Sequence, residues 1–342
     1  MKNGINVLSL FDGLSCGNIA LERAGIKVNN YFACEIDRYA IQIANKNYPI
    51  FQMGDVKDLT AGVLPKIDLL IGGSPCQDLS FAGKGKGLIK GDRSSLFYQY
   101  VRLLKECKPK YFLLENVRMK QEYQDIISDL LGVQPIKINS SLVSGQNRVR
   151  LYWTNIPGIL QPEEKGILLK DILESNPDQS FNSGHQKSGG KHFNMLNTTY
   201  KSQANTIHNV NKKSPTICSG THGYVLGHVE RPCEPRKFNK DSLCHHVATA
   251  TDIKGNESIK RVYADSGKSP TLTTMGGGHR EPKVSTSETT YRKLTPLECE
   301  RLQTIPDGYT EGVSNTQRYK MLGNSWTADI IAHLFKGLKD GE

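Results

Sequence analysis

Cys76 stands in Gly72-Gly73-Ser74-Pro75-Cys76-Gln77, directly after the apolar run 68–71, so its thiol falls at the carboxyl edge of a strand. Open α/β sheets place their ligands at that edge. A lone cysteine is more often a small buried hydrophobe. Here it precedes Phe81-Ala82-Gly83-Lys84-Gly85-Lys86-Gly87 and Lys90-Gly91-Asp92-Arg93, a glycine-rich basic stretch with the composition of a lid that closes over phosphates. Cations favour the reactive thiolate, so a thiol beside such a lid is a candidate nucleophile. Glu115, in Glu115-Asn116-Val117, ends the apolar run 111–114 and brings a carboxylate to the same edge; a surface cap is the bland alternative. Gln146-Asn147-Arg148-Val149-Arg150 leads into the run 151–154. Alternation along an extended segment puts both arginines on one face, pointing together into a site, unless they are a solvated basic pair.

A second group of residues has the spacing of a nucleoside site. The first apolar run enters Phe11-Asp12-Gly13-Leu14-Ser15-Cys16-Gly17 and then a helix, and Glu35 follows Gly13 by 22 positions. Glycines there allow a tight turn and close approach of a ligand to a helix N-terminus, and a carboxylate at that distance can bind ribose hydroxyls. The turn is not Gly-x-Gly-x-x-Gly, which argues against a dinucleotide; taken alone it is equally well a tight strand-to-helix turn.

These residues need a scaffold. Up to about residue 155, short apolar runs (5–11, 31–34, 68–71, 111–114, 136–139, 151–154) alternate with amphipathic stretches (17–24, 38–47, 95–107, 121–131). That pattern predicts β-α-β units around a mostly parallel sheet. After Lys170 the texture turns to Ser, Thr, Asn, Gly and His, and eight of the nine histidines fall between 185 and 279. Lys213-Ser214-Pro215-Thr216-Ile217 is echoed by Lys268-Ser269-Pro270-Thr271-Leu272, each followed by a Gly/His segment. Two copies make no solenoid, so a small, irregular β-rich second domain is expected. Helical texture returns from Leu294, with an amphipathic terminal helix over 327–338.

Composition narrows the partners. The 342 residues carry a net charge of +10, and the stretch 181–290 alone has 15 Lys and Arg against 8 Asp and Glu. A regional basic excess fits a polyanion-binding module on a near-neutral body, or a solvated basic surface. No run approaches the roughly 18 apolar residues that span a bilayer, and no signal-peptide pattern follows Met1, so a cytoplasmic protein without a membrane partner is expected. The eight cysteines show no Cys-x-x-Cys pair, which predicts reduced thiols. Cys233 and Cys244-His245-His246 match no finger spacing, and no metal is expected.

Together, Phe11-Asp12-Gly13 through Gly17, Ser74-Pro75-Cys76-Gln77, Glu115-Asn116-Val117, Gln146 to Arg150 and Gly323-Asn324-Ser325 resemble, in order and spacing, the motif set of DNA (cytosine-5) methyltransferases. The resemblance covers nearly the whole chain outside the variable region. The Phe-Asp-Gly turn and Gly323-Asn324-Ser325-Trp326 are similar to the catalytic domains of animal de novo enzymes, whereas the lack of a long segment before the first strand fits a stand-alone bacterial or phage type.

The resemblance implies a Rossmann-like class I sheet that binds S-adenosyl-L-methionine (residues 1–177), a target-recognition domain (178–288) and a C-terminal segment (289–342) that returns to the catalytic domain. It assigns Phe11, Asp12, Gly13, Cys16 and Gly17 to the cofactor turn, Glu35 and Ile36 to ribose and adenine, Asp55 and Val56 to the adenine edge, and Gln77, Leu96, Asn324, Ser325 and Trp326 to the rest of the site. Cys76 would add to C6 of a cytosine flipped out of duplex DNA, Glu115 would hydrogen-bond N3 and the exocyclic amine, Arg148 would support O2 and Arg150 would be a further polar support. DNA contacts are expected from Ser80, Lys84, Lys86 and Arg93 in the lid, and from Arg261, Thr271, Gly276, Gly277 and Gly278 in the recognition core. A monomer is expected, with a cognate restriction endonuclease as a partner in some members of such a family. Two other readings stay open: a tRNA cytosine-5 methyltransferase, against which the long basic segment stands, and a catalytically inactive DNA-binding homologue, against which the intact motif residues stand.

Overall fold

The computed structural model describes residues 4–74, 95–175, 231–235, 242–275, 278–286 and 290–340. Strands β1 (Ile5–Leu10), β2 (Val28–Cys34), β3 (Phe51–Gln52), β4 (Leu69–Gly72), β5 (Tyr111–Val117), β6 (Ile136–Asn139) and β7 (Val149–Thr154) form one sheet in the order β3-β2-β1-β4-β5-β7-β6. β1 to β5 run parallel, while β7 lies antiparallel to both β5 and β6. Five further strands, β8 (Arg231–Pro235), β9 (His246–Ala250), β10 (Arg261–Tyr263), β11 (Lys283–Ser285) and β12 (Thr290–Lys293), close a small barrel. The helices are α1 (Cys16–Ala24), α2 (Arg38–Asn47), α3 (Ser95–Cys107), α4 (Gln121–Leu131), α5 (Glu257–Lys260), α6 (Pro296–Leu302), α7 (Asn315–Asn324), α8 (Ala328–Phe335) and α9 (Gly337–Asp340).

The central strands are buried on both faces, which explains why β4 reads as an unbroken apolar run instead of an alternation. Val7, Leu69, Ile71 and Leu113 point to one face, against Ala20 and Leu21 of α1 and Ile330, Ile331, Leu334 and Phe335 of α8. Leu8, Leu70 and Leu114 point to the other, against Phe97, Tyr100 and Leu103 of α3 and Ile127 of α4. The last helices therefore complete the core begun by the first strand, and the body built on the large sheet is discontinuous in sequence. Local signals set the helix starts. Asp37 accepts from the Tyr39 and Ala40 N–H groups ahead of α2, and Thr295 with Glu298 makes a capping box for α6, with Pro296 at its first position.

The predicted runs up to residue 155 coincide with β1, β2, β4 to β7 and α1 to α4. The two-residue β3 was not foreseen; a single Phe51 carries it, opposite Phe32 in register and stacked on it at 5.3 Å between ring centroids. The expected terminal helix 327–338 is divided into α8 and α9. The barrel takes its last strand, β12, from beyond the expected 288/289 boundary, because Lys283 and Ser285 pair antiparallel with Lys293 and Tyr291. Among the described residues no helix is long and apolar enough to cross a membrane.

Phe335 is fully buried where α8 meets the sheet. Phe335→Ala is expected to lower unfolding stability by about 3–5 kcal/mol in urea titrations. A loss under about 1 kcal/mol would mean that the C-terminal helix is not part of the catalytic core.

Candidate active site

Parallel register lines up the strand ends. Leu10 pairs with Cys34 on one side and Gly72 on the other, and Gly72 pairs with Leu114. The next residue on each strand is therefore Phe11, Glu35, Gly73 or Glu115. The chain reverses its order of strand addition between β1 and β4, which opens a crevice at these carboxyl ends. A cavity of about 400 Å³ occupies it, lined by Phe11, Asp12, Gly13, Cys16, Glu35, Ile36, Asp55, Val56, Leu96, Asn324, Ser325 and Trp326 together with Glu115, Arg148 and Arg150. Gly17 lies beneath the turn instead: a Cβ there would sit 2.4 Å from Tyr31 Oη, so its role is to let α1 approach the sheet. Cys76, Gln77, Ser80, Lys84, Lys86, Arg93, Gly276 and Gly277, and the first Lys-Ser-Pro-Thr copy, lie outside the described residues.

The turn after β1 is held in a conformation that side chains resist. Phe11, Gly13 and Ser15 have φ of 59°, 61° and 66°, and such strain at non-glycine residues collects at functional sites. Glu35 stabilises it: one carboxylate oxygen accepts from Gly13 N at 2.8 Å, the other from Ile36 N at 2.7 Å and Asp37 N at 2.8 Å. The oxygen that faces Gly13 N has a second lone pair and keeps acceptor capacity for a hydroxyl in the cavity. Asp12 Oδ1 accepts from Ser9 Oγ at 2.6 Å and Tyr31 Oη at 2.7 Å, while Oδ2 is buried with no hydrogen-bond partner among the described residues. Burial, opposed by those hydroxyls, pushes this carboxyl up to about 6.

Glu115 meets its partner across the antiparallel pair. It lies opposite Tyr152, with Arg150 opposite Val117, so Arg150 is the diagonal neighbour on the same face and its Nε is 2.9 Å from Glu115 Oε1. Asn116 Nδ2 donates to Ser74 Oγ at 3.2 Å, tying β5 to the segment that leads to Pro75-Cys76. A Cβ on Gly73 would come within 2.9 Å of Trp326 Nε1 and 3.2 Å of Glu115 Oε2, so only glycine leaves those groups in place.

Arg148 departs from its expected role. β7 begins at Val149, so strand alternation does not govern Arg148. Its guanidinium donates to main-chain carbonyls: Nη1 to Leu272 O at 3.0 Å and Nη2 to Ser325 O at 2.9 Å, with Gly323 O 3.3 to 3.4 Å from both nitrogens. Burial, with Arg150 as a second cause, pulls it down to about 9. Thr271 also differs from the expectation of a free DNA contact, since its hydroxyl donates to Asn147 O at 2.7 Å. Arg261 is exposed at the start of β10, and Gly278 is exposed with φ of 70°. Sequence reasoning missed Gly73, Met321 and Gly323 as cavity-lining positions, and Lys268 as an anchor, although the repeated Lys-Ser-Pro-Thr motif had marked Lys268.

Comparison with known proteins agrees with this geometry. A family model for C-5 cytosine-specific DNA methylases matches residues 5–340. An orphan methyltransferase of Bacillus phage rho11s is 26% identical, over 98% of this chain and 97% of the relative. The type II methyltransferase M.BanI of Aneurinibacillus aneurinilyticus is 27% identical, over 98% and 95%. The crystal structure of a putative DNA modification methyltransferase from an E. coli prophage superposes with a TM-score of 0.60 at 22% identity, covering 98% of this chain and 99% of that one, which shows a shared fold.

Asp12 makes stability depend on pH in a defined direction. Its folded value of about 6 lies above the ordinary carboxylate value of 3.8, so its favourable contribution is complete below about pH 4 and is lost as pH rises through 6. Asp12→Asn is therefore expected to raise the thermal midpoint of the ligand-free protein at pH 8 and to leave it nearly unchanged at pH 4. A difference of equal size at both pH values would refute the assignment.

Proposed function

The chain belongs to the C-5 cytosine-specific DNA methylase family and is a DNA (cytosine-5-)-methyltransferase, and from that premise we propose that its cavity binds S-adenosyl-L-methionine beside a cytosine flipped out of duplex DNA. The observation that carries this reading is the meeting, in one cavity, of a nucleoside-type turn with the Glu115–Arg150 pair. The donor set suits the cofactor. Asp12 Oδ2 is a buried acceptor suited to an ammonium or sulfonium, Glu35 can accept ribose hydroxyls, and Ile36, Val56 and Leu96 offer apolar surface to a purine. When bound, the cofactor supplies an electrophilic sulfonium methyl group.

The chain's own residues have the complementary task. Cytosine C5 is a weak nucleophile until the ring's aromaticity is broken. In our reading the Cys76 thiolate forms a bond to C6, and C5 becomes enamine-like. Glu115 hydrogen-bonds N3 and the exocyclic amine, stabilising the ring as electrons move onto it. Arg150, beside Glu115, takes the support of O2 that the motif reading gave to Arg148, because both terminal nitrogens of Arg148 are engaged by carbonyls. Once C5 carries the methyl group, loss of its proton to water and breakage of the Cys76–C6 bond would return the thiolate and restore aromaticity.

We assign residues 178–288, with β12, to target recognition, with Arg261 and the glycines 276–278 meeting DNA. Flipping and transfer need only one copy of these residues, so action as a monomer is part of this reading. Methyl-labelled S-adenosylmethionine should transfer tritium to duplex DNA, with bisulfite sequencing confining the product to cytosines of one short motif. Cys76→Ser should abolish transfer by about 10³-fold or more, and Arg150→Lys, which keeps the charge but loses the fork, should lower turnover about 10²-fold. Label in bulk tRNA alone would move the protein to RNA modification, and tight DNA binding without transfer would make it an inactive homologue.

A further inference from the structure

Three segments that serve different ends of the reaction meet at one buried guanidinium. The first is Leu272–Thr274, within the recognition region. The second is Gly323–Ser325, a wall of the cavity. The third is the run Gln146–Arg148, which leads directly into Arg150. Their contact is as close as backbone allows: a Cβ on Gly323 would sit 1.8 Å from Thr273 O and 2.7 Å from Thr274 N.

Hydrogen bonds knit the junction from every side. Gln146 Oε1 accepts from Leu272 N at 3.2 Å, Asn147 N donates to Ser269 O at 2.8 Å, and Ser269 N donates to Gly145 O at 2.7 Å. Gln303 Nε2 donates to Leu322 O at 2.7 Å and holds the cavity wall from behind. Lys268 anchors the same recognition segment a few residues earlier, through Ser141 O at 2.9 Å, Ser144 O at 3.3 Å and Ile167 O.

At the centre Arg148 is 3% exposed and hydrogen-bonds carbonyls on both the recognition segment and the cavity wall. Among the described residues it has no carboxylate partner. A charge kept there without a counter-ion is costly, and a packed apolar side chain would stabilise the body better. What the guanidinium provides is five donors fixed in one plane, whereas an ammonium such as that of Lys268 offers three on a rotatable end and an apolar group none.

We propose that Arg148 is a positioning residue that couples DNA binding to cofactor binding: a load that DNA places on Leu272–Thr274 is passed, through this guanidinium and the Gly323 contact, to the wall formed by Gly323–Ser325. The inference rests on the reading of the cavity as the cofactor site and of the second region as the DNA-reading one. Coupling of this kind is reciprocal, so the cofactor product tightens DNA by the same factor as DNA tightens the cofactor product.

The test is calorimetric titration of the full chain with S-adenosylhomocysteine, with and without a duplex carrying the methylated motif. The wild-type protein is expected to bind S-adenosylhomocysteine about tenfold more tightly when the duplex is present. Arg148→Lys should hold each binary affinity within about threefold while the coupling factor falls below about two, and kcat should fall more than KM for DNA. Gln146→Met, which removes the acceptor for Leu272 N and leaves Arg148 and the cavity wall in place, should lose coupling in the same way and serves if Arg148→Lys does not fold. Wild-type coupling that survives in the soluble variants, a coupling factor near one in the wild type, or equal losses of both binary affinities and thermal stability would each overturn the proposal. Failure of the wild type to bind S-adenosylhomocysteine at all would instead overturn the cofactor reading on which it rests.

Discussion

Everything at the site follows from one row of residues across the sheet. Parallel pairing places Leu10, Cys34, Gly72 and Leu114 side by side, so the four strands release their chains at the same height. Had β2 slipped by one residue against β1, Glu35 would face the opposite side of the sheet and lose Gly13 N. The same slip in β5 would carry Glu115 away from Arg150. The register itself is held by strands buried on both faces, where each misplaced side chain would leave an apolar gap. The closing helix α8 belongs to this constraint as much as β1 does, which is why Gly323–Trp326, far along the chain, can line a cavity begun at Phe11.

Much of this was legible in the sequence because burial on both faces leaves a local mark. Runs such as Tyr111–Val117 and the amphipathic period of α3 carry their own signal, and the residues that end those runs were found with them. What could not be read was anything decided by a partner far away. Strand alternation suggested that Arg148 and Arg150 act together, yet Arg148 lies before the strand starts. Its N–H donates to Asn139 Oδ1 and its carbonyl accepts from Ser140 N, so its direction is set by the segment after β6. The strand β3 was invisible for a related reason: its place depends on the ring of Phe32 rather than on any pattern of its own.

The repeated Lys-Ser-Pro-Thr motif shows how a visible signal can hide its meaning. Sequence identifies a strand-and-turn element with a lysine, for which solvent is the default place. In the second copy the lysine is buried, and its ammonium donates to main-chain carbonyls around the segment 141–167. Carbonyl acceptors leave no trace in composition, because every residue has one. Lys268 and Arg148 share this property, and both sit where the segment between β10 and β11 packs against the body built on the large sheet. Buried cations answered by backbone dipoles thus mark that seam, whereas carboxylate pairs such as Arg292–Glu298 and Arg318–Glu300 brace the helical segment beside it.

The cofactor turn reveals what such a site demands of the ligand-free chain. Left-handed φ at the non-glycine residues Phe11 and Ser15, a carboxylate oxygen without a hydrogen-bond partner among the described residues and a carboxyl displaced toward neutrality are each unfavourable, and a sequence selected for stability alone would keep none of them. A cation brought to Asp12 and a hydroxyl brought to Glu35 would complete the acceptor capacity of these two carboxylates, while the backbone of the turn is already set. A binding site prepared in this way loses little free energy in reorganising when its ligand arrives, because the backbone N–H groups and carboxylates already stand where they are needed.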